Sequence, residues 1–170
     1  MDFSKLVELR RSVRAYKECE ISKEEILKIV ECLQLAPSWK NSQTGRYYVA
    51  LSEDARQVVY DSLPEFNKKS SKNAYYIIAS YKKGISGAES EEKDLWGAYD
   101  LGLANAYLTL KASDLGYDTL IMGLRDTEKL REYFNIPEDE IILPVIALGK
   151  KNQEIVFRPR KKVEEILTIK

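Results

Sequence analysis

A single α+β domain is the fold the sequence predicts, on three observations. The chain has 170 residues, within the roughly 100–200 that one soluble domain occupies. Patterns of helical period and of strand character intermix along it without a strict βαβ alternation. No internal repeat, linker or low-complexity segment divides it.

Taken in order, residues 2–9 read as a short helix. Ser22, with Glu25 three residues on, forms a capping box, in which each side chain satisfies the other's backbone N–H. Ile26, Ile29, Val30 and Leu33 then recur on one helical face, and this helix is expected to end near Ala36 and Pro37. Residues 47–51 read as a strand, and 54–63 as a helix stopped by Pro64. Residues 74–81 are rich in aromatic and β-branched side chains, which predicts a buried strand. Residues 82–90, with Gly84 and Gly87, predict a loop. Residues 92–115 carry the longest helical pattern, closed by Gly116 as a left-handed cap. A short strand follows at 119–122, then a helix at 127–134 before the Ile136–Pro137 turn, then a strand at 140–148 ending at Gly149. The tail from Lys150 is irregular until a short helix after Lys162.

Composition narrows the chemistry. Apolar residues make up 44% and charged residues 32%, a balance that buries a core and keeps the surface in water. Lys+Arg and Asp+Glu are 27 each, so no chain-wide charge draws the protein to nucleic acid or an anionic membrane. There is no histidine, which excludes a Ser-His-Asp triad, a Cys-His dyad, an HExxH zinc site and a histidine proton shuttle. Cys19 and Cys32 are too far apart for a CxxC pair, so neither a zinc site nor a disulfide framework is expected, and two free thiols suit the cytoplasm. Residues 1–5 lack a signal-peptide core, and the apolar stretch 141–148 is too short to span a bilayer. An enzyme without histidine must use other side chains or take its chemistry from a cofactor.

Charge is unevenly spread. Residues 5–17 hold five basic and one acidic residue, residues 150–162 six basic and one acidic, and residues 89–100 one basic and five acidic. A fold that joins the two termini would build an anion site. The backbone devices for phosphate are missing: there is no GxGxxG, and Gly97 and Gly102 have Walker-like spacing but are followed by Leu103 and Ala104 inside a helical pattern. Guanidinium groups, whose planar forks match phosphate oxygens, would have to do most of the work.

Four segments could carry that work. Arg10, Arg11, Ser12, Val13 and Arg14 read either as a solvated helix end or as an anion cradle with Arg10 and Arg14 one turn apart. The segment from Ala36 to Gln43 is either a polar connector or a set of donors and acceptors beside one aromatic plate, suited to a planar heterocycle. Phe157, Arg158, Pro159, Arg160, Lys161 and Lys162 are either a solvated basic tail or a stiffened pair of arginines aimed at one anion. Leu120 to Leu124 is either an ordinary strand end or a place where Gly123 lets a ligand approach the backbone.

In this order and spacing, RRSVR, APSWKNSQ, DLGLANAYLTLKASDLGYDTLIMGL and RPRKKVEEIL together resemble the nitroreductase family of FMN-dependent oxidoreductases, over nearly the whole chain. The resemblance implies one nitroreductase-like domain over 1–170, with a central, mainly antiparallel sheet flanked by helices, in an intertwined homodimer with FMN at the subunit interface. It implies that Arg10, Arg11, Ser12 and Arg14 hold phosphate, ribityl and one flavin edge, and that Arg158 and Arg160 complete the phosphate site. Pro37, Ser38, Trp39 and Asn41 would come from the partner subunit. The backbone at Met122 and Gly123 would approach flavin N5 and O4, and Asn67 would meet the pyrimidine edge. NADH or NADPH would reduce the flavin in a ping-pong cycle ending on a nitroaromatic, quinone or enone-like acceptor. Two features depart from the family. Gln43 is followed by Thr44 and Gly45 where Pro-Trp is common, and Trp39 replaces a small residue. The short chain also lacks room for the insertion that covers the site in larger members. The alternatives are reductive dehalogenation or flavin breakdown on the same fold, or a non-catalytic anion- or flavin-binding module.

Overall fold

The computed structural model describes residues 2–89 and 92–170. Ser90, the end of the expected 82–90 loop, and Met1 lie outside them. The elements run α1 (Phe3–Leu9), β1 (Tyr16–Lys17), α2 (Lys23–Leu33), β2 (Gly45–Ala50), α3 (Glu53–Ser62), α4 (Glu65–Ser71), β3 (Tyr75–Lys82), α5 (Lys93–Asp114), β4 (Asp118–Met122), α6 (Thr127–Phe134) and β5 (Glu140–Lys151). Single 3-10 turns cover Trp39–Asn41 and Val163–Glu165.

Every ladder in the sheet is antiparallel. Hydrogen-bonded neighbours run β1, β5, β3, β2, and β4 also pairs with β5. β4 pairs Asp118 with Gly149 through Met122 with Val145, and β1 pairs Tyr16 with Lys151. One parallel bridge, Ser12 to Thr119, docks the first arginine-rich segment beside β4, where the Val13 N–H donates to the Thr119 carbonyl at 3.0 Å.

Strand alternation divides the core between two faces. Tyr76, Ile78, Val145 and Ala147 pack with Val59 and Leu130 of α3 and α6. Ile77, Ile146 and Leu148 pack with Ile26, Ile29 and Leu33 of α2 and Leu108 of α5. The central strands β3 and β5 are therefore covered on both sides, which is why they read as nearly continuous apolar runs. Among the described residues no helix is long and apolar enough to cross a membrane.

Two expected boundaries shift, and one helix is unexpected. α2 stops at Leu33, one turn before Pro37, because Gln34 to Ala36 tighten into turns. β5 runs on to Lys151, since β1 supplies a partner beyond Gly149. α4 carries no apolar stripe: it buries Asn67, Ser70 and Ser71 and exposes Phe66. Its inner face is polar and satisfied, with the Ser71 hydroxyl donating to the Asn67 carbonyl at 2.8 Å and the Tyr76 hydroxyl donating to the Ser71 carbonyl at 3.0 Å.

The tyrosines set the response to alkali. Burial pushes the hydroxyls of Tyr48 and Tyr76 up to about 12, and it also raises Tyr16, Tyr47 and Tyr117. At Tyr48 the carboxylate of Glu140, which accepts its hydroxyl at 2.9 Å, adds to the effect. The folded chain keeps these protons, whereas the unfolded chain releases them near the ordinary tyrosine value of about 10. Stability is thus full below pH 10 and falls as pH rises toward 12. We expect the melting temperature to drop steeply over that window, and Tyr48→Phe to flatten the drop, as read by circular dichroism.

Candidate functional site

A cleft of about 510 Å³ lies between α5 and the sheet edge. Its walls are Leu101, Gly102 and Asn105 of α5 against Ile121 and Pro144, and Arg10 and Ser12 stand at its rim. That volume is within the roughly 300–1,000 Å³ of small-molecule sites. Tyr47 fixes one wall by donating its hydroxyl to the Asn105 side-chain oxygen at 3.1 Å. A side chain at Gly102 would meet nothing within 4 Å, so glycine there keeps open a space that a Cβ would fill.

The two basic ends of the chain meet at this rim. Arg10 is half-buried, and its guanidinium is pushed below its ordinary value first by burial and then by the charges of Arg160 and Arg11. Arg11 lies over the Phe157 ring at 4.4 Å and donates to the Arg10 carbonyl at 2.7 Å. Arg14 donates to the Ser12 carbonyl at 3.2 Å, and Arg158 is exposed. Among the described residues, neither Arg10 nor Arg160 forms an ion pair with a carboxylate. Like charges brought together without an internal anion form a ready site for an external one.

The turn after β4 is held from three sides. Met122 turns its side chain into the core, whereas Gly123 is exposed with open space at its Cβ position. The Asn67 amide donates to the Leu124 carbonyl at 3.2 Å, so Asn67 serves to position this turn. The Arg125 guanidinium, which burial pushes below its ordinary value, donates to the carbonyls of Gly123 and Ile142. The Asp126 N–H donates to the Ser62 carbonyl at 2.7 Å.

Pro37, Ser38, Trp39 and Asn41 do not line this cleft. They lie on the other side of α5, where the carboxylate of Asp100 accepts the Trp39 N–H at 3.1 and 3.2 Å and the Ser42 hydroxyl at 3.3 Å. Three non-glycine residues here, Lys40, Asn41 and Gln43, have positive φ of 44°, 57° and 46°. Left-handed backbone costs an L-residue about 1–2 kcal/mol, least for asparagine, so this segment is held in shape by its surroundings. Asn41 is exposed, and Lys40 sits over the Trp39 ring at 4.7 Å.

The family model for the nitroreductase family matches residues 7–150. This chain belongs to the nitroreductase family. Among similar proteins, Bacillus subtilis YdgI, which carries an NAD(P)H nitroreductase name, is 28% identical and covers 90% of each chain. The FMN reductase (NAD(P)H) of the same organism is 25% identical over 92% of this chain and 68% of its own. A solved structure from Exiguobacterium sibiricum, named as a nitroreductase in complex with FMN, shares the fold at a TM-score of 0.88. It is 24% identical and covers 100% of this chain and 98% of that one. The nitroreductase fold expected from the sequence, with its antiparallel sheet and flanking helices, is the one observed.

Several residues that shape this nitroreductase site carry no local signal in the sequence. Asp100 stands in the acidic run of residues 89–100, and its partners are 14 to 61 residues away. Arg125 looks like a surface cation after a turn glycine. The spacing of Asp100 and Ala104 opposite Gly102 and Asn105 was the available cue: at 3.6 residues per turn these pairs face opposite ways.

Proposed function

We propose that the chain is an FMN-dependent oxidoreductase that takes electrons from NADH or NADPH and delivers them to a small organic acceptor, a nitroaromatic, quinone or enone-like compound. The observation that carries this reading is the meeting of the two basic ends of the chain, where Arg11 lies over the Phe157 ring at 4.4 Å next to Arg10 at the rim of the cleft. The residues present fit FMN: a cationic rim for a phosphate dianion, an apolar slot beside Gly102 for a planar ring, and an exposed turn at Gly123 for a heterocycle edge. When bound, the flavin supplies hydride transfer at N5, alternately accepting from the nicotinamide and giving to the acceptor in a ping-pong cycle.

The chain's own residues bind, orient and polarise. Arg10, Arg11, Arg158 and Arg160 would hold the phosphate with charge-assisted hydrogen bonds, and Ser12 would add a hydroxyl. Positive charge from Arg10 and Arg14 near the ring would favour its anionic reduced form. A backbone N–H at Met122 or Gly123, on the turn pinned by Asn67 and Arg125, would donate to the ring edge. No side chain is assigned as general acid or base, and solvent supplies protons.

A homodimer is part of this reading. The Pro37 to Asn41 segment faces away from its own cleft across α5, so it would complete the cleft of a second copy. Phe3, Leu95, Tyr99, Val156 and Ile166 are exposed apolar side chains that such an interface would cover. The free thiols Cys19 and Cys32 suit a cytoplasmic location.

Purified protein is expected to be yellow, or to become so with FMN, and to bleach on anaerobic addition of NADH or NADPH. A colourless protein that gains no flavin would leave a non-catalytic binding module in its place. Sedimentation should give a dimer, and a monomer that retains FMN tightly would refute the shared site.

A further inference from the structure

The turn after β4 has donors and acceptors in unequal supply. Thr119 turns its carbonyl away from β5, to the Val13 N–H at 3.0 Å. Polar groups alternate in direction along a strand, so Met122, opposite Val145, turns its own toward β5. The Gly123 N–H, on the far side of that peptide, therefore points away from β5, in the direction where Ser12 lies. Ile121, two residues earlier, presents the same strand face and lines the cleft.

The next two carbonyls are engaged within the fold. That of Gly123 accepts from the Arg125 guanidinium, and that of Leu124 accepts from the Asn67 amide at 3.2 Å. The N–H groups of Gly123, Leu124 and Arg125 have no acceptor among the described residues. Arg125 itself bridges Gly123 to the Ile142 carbonyl of β5. Among the described residues it forms no ion pair, and its Nε has no hydrogen-bond partner. Its charge thus faces neutral carbonyls only. A cation on the Gly123 carbonyl polarises that peptide, whose N–H belongs to Leu124, because hydrogen bonds in series strengthen one another.

We propose that Arg125 is a positioning residue for the flavin: it holds the outward Gly123 N–H at the cleft, and its charge favours the electron-rich reduced ring over the oxidised one. This rests on the FMN site proposed above.

The test is the midpoint potential of the FMN-loaded protein. Arg125→Gln, which removes the charge, should weaken binding of reduced FMN about tenfold more than that of oxidised FMN, a fall of about 30 mV for a two-electron couple. Arg125→Lys, which keeps the charge, should restore most of the fall. Asn67→Ala loosens the same turn without touching a charge, so it should weaken both redox states alike. A potential unmoved in Arg125→Gln, no lower than in Asn67→Ala, or equally low in Arg125→Lys would each overturn the proposal. The unmodified protein gives a reading that depends on no variant: the Gly123 amide proton should move downfield on binding FMN and further on its reduction, and an amide that stays in place would overturn the contact. A protein that takes no FMN would remove the flavin site itself, yet Arg125 can still be tested in the flavin-free chain. A nearby cation speeds hydroxide-catalysed exchange, so Arg125→Gln should slow exchange of the Leu124 amide about fivefold. An unchanged or faster rate would mean that Arg125 serves the structure of the turn alone.

Discussion

Replacing Arg10 and Arg160 together by alanine is expected to weaken FMN binding by about 10²- to 10⁴-fold without destabilising the flavin-free chain. The two effects have one cause. In the absence of an anion, burial lowers the proton affinity of Arg10, and the neighbouring charge of Arg160 lowers it further. Removing both charges relieves that repulsion, so the apo melting temperature should hold or rise. With a phosphate dianion between them, the same pair makes charge-assisted hydrogen bonds worth roughly 1.5–3 kcal/mol each. Two such bonds account for the expected loss. Each single variant should lose less than half of the logarithmic effect, since the remaining arginine can recentre on the phosphate. Equilibrium dialysis with FMN beside a thermal melt reads both quantities. Undiminished FMN affinity in the double variant would remove the phosphate assignment, and a large fall in apo stability would show that the arginines are structural. Arg158→Ala with Arg160→Ala should also release FMN, through the same phosphate.

Two glycines on α5, five residues apart, are expected to respond to alanine with opposite signs. At Gly97 an added Cβ would stand 2.4 Å from the Tyr81 ring, inside any tolerable contact. Tyr81 is buried on β3 with Leu101 and Ala79, so the ring has nowhere to retreat. Such overpacking costs about 1–3 kcal/mol. The better helix propensity of alanine returns at most about 1 kcal/mol of that, leaving a net loss. At Gly102 the same Cβ meets nothing, and the helix gains about 0.5–1 kcal/mol of stability. Gly102 lines the cleft, however, so its added methyl should lower FMN affinity while raising the melting temperature. Denaturant unfolding of both variants, with FMN titration of the second, checks the pair. A stabilised Gly97→Ala would mean that α5 does not rest on Tyr81.

Local periodicity made most of the fold legible. The capping box at Ser22 and Glu25 is present, with the Glu25 N–H donating to the serine hydroxyl at 3.2 Å, and it opens α2 where expected. Gly116 closes α5 with φ of 80°. The fold features that escaped sequence reading have physical reasons. α4 hides because its inner face is polar, and pattern reading sees only apolar stripes. β1 hides because two residues carry no alternation. In the site, the arginine segments stood out through charge density. Asp100 was hard to single out because its worth lies in donors brought from two loops, at Trp39 and Ser42 and at Ser86. The left-handed backbone at Lys40 and Gln43 was equally hidden, since neither residue favours it and the surrounding contacts impose it. Sequence spacing names what a segment can do alone, whereas these residues act through neighbours that only the folded chain supplies.

The last strand carries one more implication. β5 is anchored as far as Lys151, and Arg160 stands nine residues beyond it on a tail whose residues are almost all exposed. At about 3.3–3.6 Å per residue, that tether reaches some 30 Å at most. The tail cations therefore never diffuse away from Arg10, and their local concentration is set by the leash, whatever the dilution of the protein. Because little of the buried core depends on that leash, its length and stiffness can be altered to tune how long an anion is retained while the folded body stays as it is.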